Sequence, residues 1–157
     1  MKIIATMLFV IISLKAFSLE QNRKPQIKAK QRMTVEQVAF TLEKAGFPRE
    51  IVPVVTCLAL YESGFKPTAI NINNNNNTKD HGLLQINDIW KEECNLNDKD
   101  LTNPLKNSKC ALKVYNKQGL TAWVTYKKFK RICLAYKVPN YNTIKIAEII
   151  IKNNSLM

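Results

Sequence analysis

The chain has 157 residues and a formal charge of +12, from 24 Lys and Arg against 12 Asp and Glu. That length favours one domain around a single sizeable core and argues against a multidomain assembly. The positive balance draws the protein toward polyanions such as wall polymers, anionic membranes or nucleic acid, and charge alone does not choose among them.

Met1-Lys2 precedes an apolar run from Ile3 to Leu14, too short to span a bilayer and built like a signal-peptide core. Ala16 and Ser18 form an A-x-S cleavage pattern, so residues 1–18 are expected to be removed, leaving a charge of +10 once Lys2 and Lys15 are gone. No later stretch approaches transmembrane length, which predicts a secreted, extracellular and soluble protein. Export places Cys57, Cys94, Cys110 and Cys133 in an oxidising compartment, where two disulfides are expected and three pairings are possible. A zinc site is disfavoured by the lack of any C-x-x-C pair and by a single histidine, His81. No metal and no cofactor are expected.

Residues 19–32 hold five basic residues, one acid and one proline without hydrophobic period, and read as a flexible basic extension. The domain proper is expected over 33–157. Thr34-x-x-Gln37 is a capping-box pattern, with Val35, Val38, Ala39, Leu42 and Ala45 following at helical spacing and Gly46 as the stop. A second helix is predicted from Pro53 to Ser63, with Gly64 as C-cap and Val54, Val55, Leu58 and Leu60 as its apolar stripe around Cys57. The asparagine-rich turn 71–79 and the apolar Leu83, Leu84 and Ile86 suggest a small antiparallel hairpin. Asn103-Pro104 opens another helix, with Leu105, Leu112 and Tyr115 on one face and Gly119 ending it. Thr121 to about Tyr136 is read as one further helix, whose Lys127, Lys128, Lys130 and Arg131 form a solvated basic face. Pro139 interrupts, and Thr143 to Lys152 reads as a last, Ile-rich helix. The fold class is α+β, mainly helical with a small antiparallel sheet beside a cleft.

Two carboxyls carry the chemistry. Glu62 sits at the C-terminal end of the second helix among apolar residues, where the helix dipole and burial both favour the protonated form. That is what a general acid requires. Asp80 follows the asparagine-rich turn, among amide side chains that suit an ionised carboxylate. Each has a bland reading, a surface helix-end glutamate or a turn aspartate. Together they form the contrasting pair that glycoside hydrolysis uses.

At these residues the chain resembles the chicken-type lysozymes and α-lactalbumin. The likeness runs from about Thr34 to Cys133 and rests on Cys-Leu-Ala-x-x-Glu-Ser-Gly-Phe, Asp80-x-Gly-Leu-Leu-Gln-Ile-Asn87, Cys110-Ala-x-Lys and Gly119-Leu-Thr-Ala-Trp-Val. Lysozyme is itself the standard example of the carboxylate pair, so the roles of the two carboxyls rest on the likeness. The resemblance implies a retaining hydrolase of the β-1,4 bonds of bacterial peptidoglycan, acting as a monomer, with anionic wall polymers as charge partners and no specific nucleic acid. Glu62 is then the acid/base and Asp80 the nucleophile or stabiliser. Asn87 would bond near Asp80, Gln85 and the Ala122 backbone would line the sugar cleft, and Trp123 would pack on Glu62. Trp90 falls near the family's sugar-stacking tryptophan. The implied disulfides are Cys57–Cys133 and Cys94–Cys110.

Departures from the family are specific. Four of its usual eight cysteines are absent, with Glu36 standing where one is expected in the first helix. Only three residues separate Trp90 from Cys94, which shortens a loop edging the cleft. His81 stands where tyrosine is usual and reads as a ring exchange. The calcium loop of α-lactalbumin would map onto Asn97 to Pro104, but Asn103 and Pro104 replace expected carboxylates, so the oxygen cage is broken. A non-catalytic glycan-binding relative and a lytic transglycosylase, which needs only the glutamate, are the alternatives; Asp80 and the cysteines favour the hydrolase. Asn76 and Asn153 begin N-x-[ST] sequons, possible glycosylation sites in an exported chain.

Overall fold

The computed structural model describes residues 32–74 and 77–141. The expected signal peptide, nearly all of the basic extension, both sequon asparagines (Asn76 and Asn153) and the last helix from Thr143 lie outside the described residues. Among those described, no helix is long and apolar enough to cross a membrane.

Helix α1 (Val35–Ala45) begins as its sequence predicts. The Thr34 side chain accepts from Gln37 N at 3.2 Å, the Gln37 side chain accepts from Thr34 N at 3.0 Å, and Gly46 closes the helix in the left-handed region at φ 101°. Val38, Ala39, Leu42 and Ala45 face the core. Helix α2 (Val52–Ser63) starts one residue before Pro53 and buries every residue from Val54 to Ala59. It is therefore the central helix and has no single apolar stripe. Leu60, expected in that stripe, is 39% exposed because the C-terminal turn emerges from the core.

The sheet has three strands of two residues each: β1 (Ile70–Asn71), β2 (Asp80–His81) and β3 (Ile86–Asn87), antiparallel in that order. Asp80 pairs with Asn71 on one side and Asn87 on the other. Leu83 and Leu84 are not strand residues. They are fully buried in the β2–β3 turn, and that turn is fastened from three directions. Ser63 Oγ donates to Leu83 O (2.8 Å), Trp123 Nε1 to Leu84 O (2.9 Å), and buried Asn107 donates to His81 O (2.8 Å) while accepting from Leu84 N (2.9 Å). Gly82 is obligatory here: at φ 77°, a Cβ would lie 2.1 Å from Leu101 O.

A 3₁₀ turn (Asp88–Trp90) leads into two short helices that the sequence patterns did not mark, α3 (Lys91–Cys94) and α4 (Asp98–Leu101). Helix α5 (Pro104–Gln118) is capped by Asn103, whose side chain accepts from Leu105 N and Lys106 N. Its inner face is Asn107, Cys110, Ala111 and Val114, with Leu112 and Tyr115 half-buried. Leu105, expected on that face, points outward at 37% exposure, being in the first turn beyond the core edge. The helix expected from Thr121 is two pieces, a 3₁₀ turn (Gly119–Ala122) and α6 (Val124–Leu134). Trp123 between them is extended (φ −95°, ψ 117°) with its indole bonded to the β2–β3 turn, so tertiary contact overrides local helix preference.

Helix α1 packs on α2 and α5, and α2 on α6. Cys57–Cys133 links α2 to α6, and Cys94–Cys110 links α3 to α5.

Candidate active site

Glu62 and Asp80 approach one cleft from different elements, the last turn of α2 and strand β2. Glu62 is half-buried, and burial raises its pKa above the ordinary carboxylate value. Hydrogen bonding by the Thr125 side chain pulls it down, and the Asp80 charge pushes it up again. The outcome is a carboxyl that keeps its proton to higher pH than a solvent-exposed glutamate.

Asp80 has amide surroundings. Asn87 Nδ2 donates to its Oδ1 at 2.7 Å, while Asn74 Nδ2 and Asn71 Nδ2 donate to Oδ2 at 3.0 and 3.3 Å. Asn71 and Asn87 are its two register partners, so pairing places all three side chains on one face of the sheet. Thr78 accepts from both Asn87 (2.7 Å) and Asn74 (3.3 Å), which fixes the two amides relative to one another.

The cleft has a volume of about 280 Å³, and its walls include Glu62, Asp80, Gln85, Asn87, Trp90, Ala122 and Trp123. Their parts differ. Trp123 is buried and its N–H is engaged by Leu84 O, so it forms a fixed wall. Trp90 is half-buried, with the Lys117 ammonium 5.9 Å from its ring centre. The Gln85 amide nitrogen donates to Gly82 O (2.8 Å) and Ala69 O (3.3 Å), which holds the turn. Asn71, Asn74, Gln118 and Thr125 were missed from sequence. The two asparagines lie in a run whose members look alike, and Thr125 is two residues past the motif tryptophan, a spacing that marks nothing unless the extended Trp123 is known.

One set of possible cation ligands lies among the described residues: His81, Asp88 and Asp98. The Lys91 ammonium pairs with both of its carboxylates. Burial alone would raise the Asp88 pKa, but hydrogen bonds from Lys91, the Lys79 backbone and His81 outweigh it and bring the value to about 2. In the loop from Asn97 to Pro104, Asn97 and Asp100 cap each other across α4 and Asn103 caps α5.

A family described as a lysozyme-like domain matches residues 40–125. Lysozyme P of Drosophila melanogaster is 35% identical over 113 residues, which span 63% of this chain and 80% of that protein. Lysozyme 1 of Musca domestica is 35% identical over 94 residues, 52% of this chain and 67% of that protein. Lysozyme c-1 of Anopheles gambiae is 30% identical over 116 residues, 68% and 80% of the respective chains. The crystal structure of a lysozyme from Litopenaeus vannamei matches with a TM-score of 0.54 at 23% identity, covering 62% of this chain and 86% of that one. At that identity the likeness speaks for the fold.

Proposed function

This chain belongs to the lysozyme family and is a lysozyme-type glycoside hydrolase, and from that premise we propose that Glu62 and Asp80 are its catalytic carboxyls. The observation that carries the assignment is their contrast within one cleft. Burial raises the pKa of Glu62, while three amides donate to Asp80. Glu62 protonates the glycosidic oxygen as the bond breaks. Asp80 captures the oxocarbenium-like carbon from the opposite face. Water, giving its proton to Glu62, then displaces the Asp80 carboxylate, and the two inversions together retain configuration.

The substrate is the β-1,4-linked glycan of bacterial peptidoglycan. The pyranose lies along Trp90, whose exposed face suits a sugar ring. Asn87 and Gln85 line the cleft floor beside it, and the Ala122 backbone offers a peptide edge. The protein acts as a secreted monomer. The charge of +10 left after loss of residues 1–18, Lys2 and Lys15 among them, concentrates it on anionic wall polymers.

The test is digestion of Gram-positive cell walls with analysis of the soluble products. New reducing ends with one water gained per bond cleaved support hydrolysis, whereas anhydro-muropeptides, which gain no water, would make the protein a transglycosylase and binding without cleavage would overturn the enzyme. Cleavage of whole cells should weaken at high salt while turnover of a neutral chitooligosaccharide changes little; equal salt dependence would remove the charge from the account.

A further inference from the structure

Strand β2 is only two residues long, and so short a ladder supplies few bonds to hold the orientation of Asp80. A second fastening sits on its flanks. Asp88 Oδ2 accepts from Lys79 N at 2.9 Å, and Asp88 N donates to Lys79 O at 2.9 Å. Asp88 Oδ1 bonds His81 Nε2 at 2.8 Å and pairs with Lys91. One carboxylate therefore holds the residue before Asp80 and the residue after it.

The His81 ring lies on the opposite face of the strand from Asp80, since successive side chains alternate. It is 1% exposed, and its Nδ1 has no hydrogen-bond partner. Asp88 is thus the ring's polar anchor, and the pair locks β2 from behind. Asp88 also directly follows Asn87, the closest amide to Asp80, and opens the 3₁₀ turn that carries Trp90. Lys91 reaches on to Asp98 and so pairs with both carboxylates.

We propose that Asp88, acting through Lys79 and His81, is a positioning residue that fixes Asp80 in its catalytic orientation toward Glu62. This rests on the assignment of Asp80 above. Asp88 touches no reacting atom; its contribution is the placement of one that does. Misplacement of a reacting group by about 1 Å costs up to about 100-fold in rate.

A double-mutant cycle on the full-length protein tests this, with an aryl chitooligosaccharide bearing a good leaving group to keep slow variants measurable. Asp88→Ala should lower kcat about 10- to 100-fold with KM little changed. In an Asp80→Asn background the same substitution should cost nothing further, because the group it positions is already disabled. In a Glu62→Gln background it should cost its full factor. Asp88→Asn, which keeps an acceptor for Lys79 N–H, serves the same cycle if the alanine variant folds poorly, and should lose less. An unchanged kcat, or the same loss with and without Asp80, overturns the positioning role. Full activity of Asp80→Asn alone would instead overturn the assignment of Asp80, and the positioning of it as well.

Discussion

Asp80 and Asn87 face one another across the β2–β3 pairing, and the Asn87 amide donates to Asp80 Oδ1 at 2.7 Å. The register of the sheet is therefore also the geometry of the site. A one-residue slip would turn Asp80 to the other face, and the fastenings of the β2–β3 turn by Ser63, Asn107 and Trp123 guard against it.

Removing this bond should be felt in the rate. Hydrogen bonds to charged groups contribute about 1.5–3 kcal/mol, so Asn87→Ala should lower kcat by roughly 10- to 100-fold. Asn71→Ala should do much less, because its 3.3 Å bond is longer and lies at the exposed edge of the sheet. Steady-state kinetics on a chitooligosaccharide would compare them; equal losses would contradict the ranking.

The pH dependence follows from Glu62. Its pKa is raised chiefly by burial, so the active, protonated form persists above the ordinary glutamate range and activity falls as pH rises through the shifted value. Thr125→Val removes a group that lowers that pKa and should carry the basic limb further up. Stability has the same sign: the contribution of the buried neutral carboxyl is complete below the unfolded pKa and is lost as pH rises through the folded one. Glu62→Gln should flatten that part of the stability curve, measured as melting temperature against pH.

Much of this was legible in the sequence where the determinants are local. Thr34-x-x-Gln37, Gly46, Gly64 and Asn103-Pro104 each mark a helix end that the structure shows. The two settings, a helix end for Glu62 and an asparagine-rich turn for Asp80, were local and readable too, and both carboxyls line one cleft. What failed depended on tertiary contact. Leu83 and Leu84 are apolar like strand residues, yet they serve a buried turn because Asn107, 23 residues on from Leu84, satisfies its backbone. Trp123 breaks an otherwise helical segment because its indole finds Leu84 O. The individual duties of Asn71 and Asn74 were hidden, since nothing in a run of asparagines tells which one reaches Asp80.

The disulfides should differ in their contribution to stability. Cys57–Cys133 closes 76 residues and Cys94–Cys110 closes 16. On the chain-entropy relation these are worth about 4.5 and about 3 kcal/mol. Replacing Cys57 and Cys133 together by serine should lower the melting temperature more than replacing Cys94 and Cys110. The second replacement should affect the cleft more, because α3 directly follows Trp90. Peptide mapping that found Cys57 joined to Cys94 would remove the basis of the comparison.

The catalytic assignment itself stands on two substitutions. Glu62→Gln keeps the shape of the side chain but has no proton of suitable acidity, and general acid catalysis is typically worth about 10²–10⁴ in rate. The loss should be at least that large on cell walls, where the leaving group is an unactivated sugar hydroxyl. It should be much smaller in the initial burst of aryl alcohol from an aryl glycoside, whose leaving group departs without help, although the later attack of water still needs Glu62 as base. Asp80→Asn should behave differently, impaired on both substrates, because the carbon it meets is the same in each. Both variants should keep the wild-type melting profile near the pH of assay and still bind chitooligosaccharide, since neither Glu62 nor Asp80 is a core residue and the cleft walls are unchanged. This crossed pattern separates the two roles. If Glu62→Gln slowed the aryl burst by the same factor as cell-wall cleavage, proton donation to the leaving group would not be its function; if it retained full lytic activity, the acid would have to be sought elsewhere.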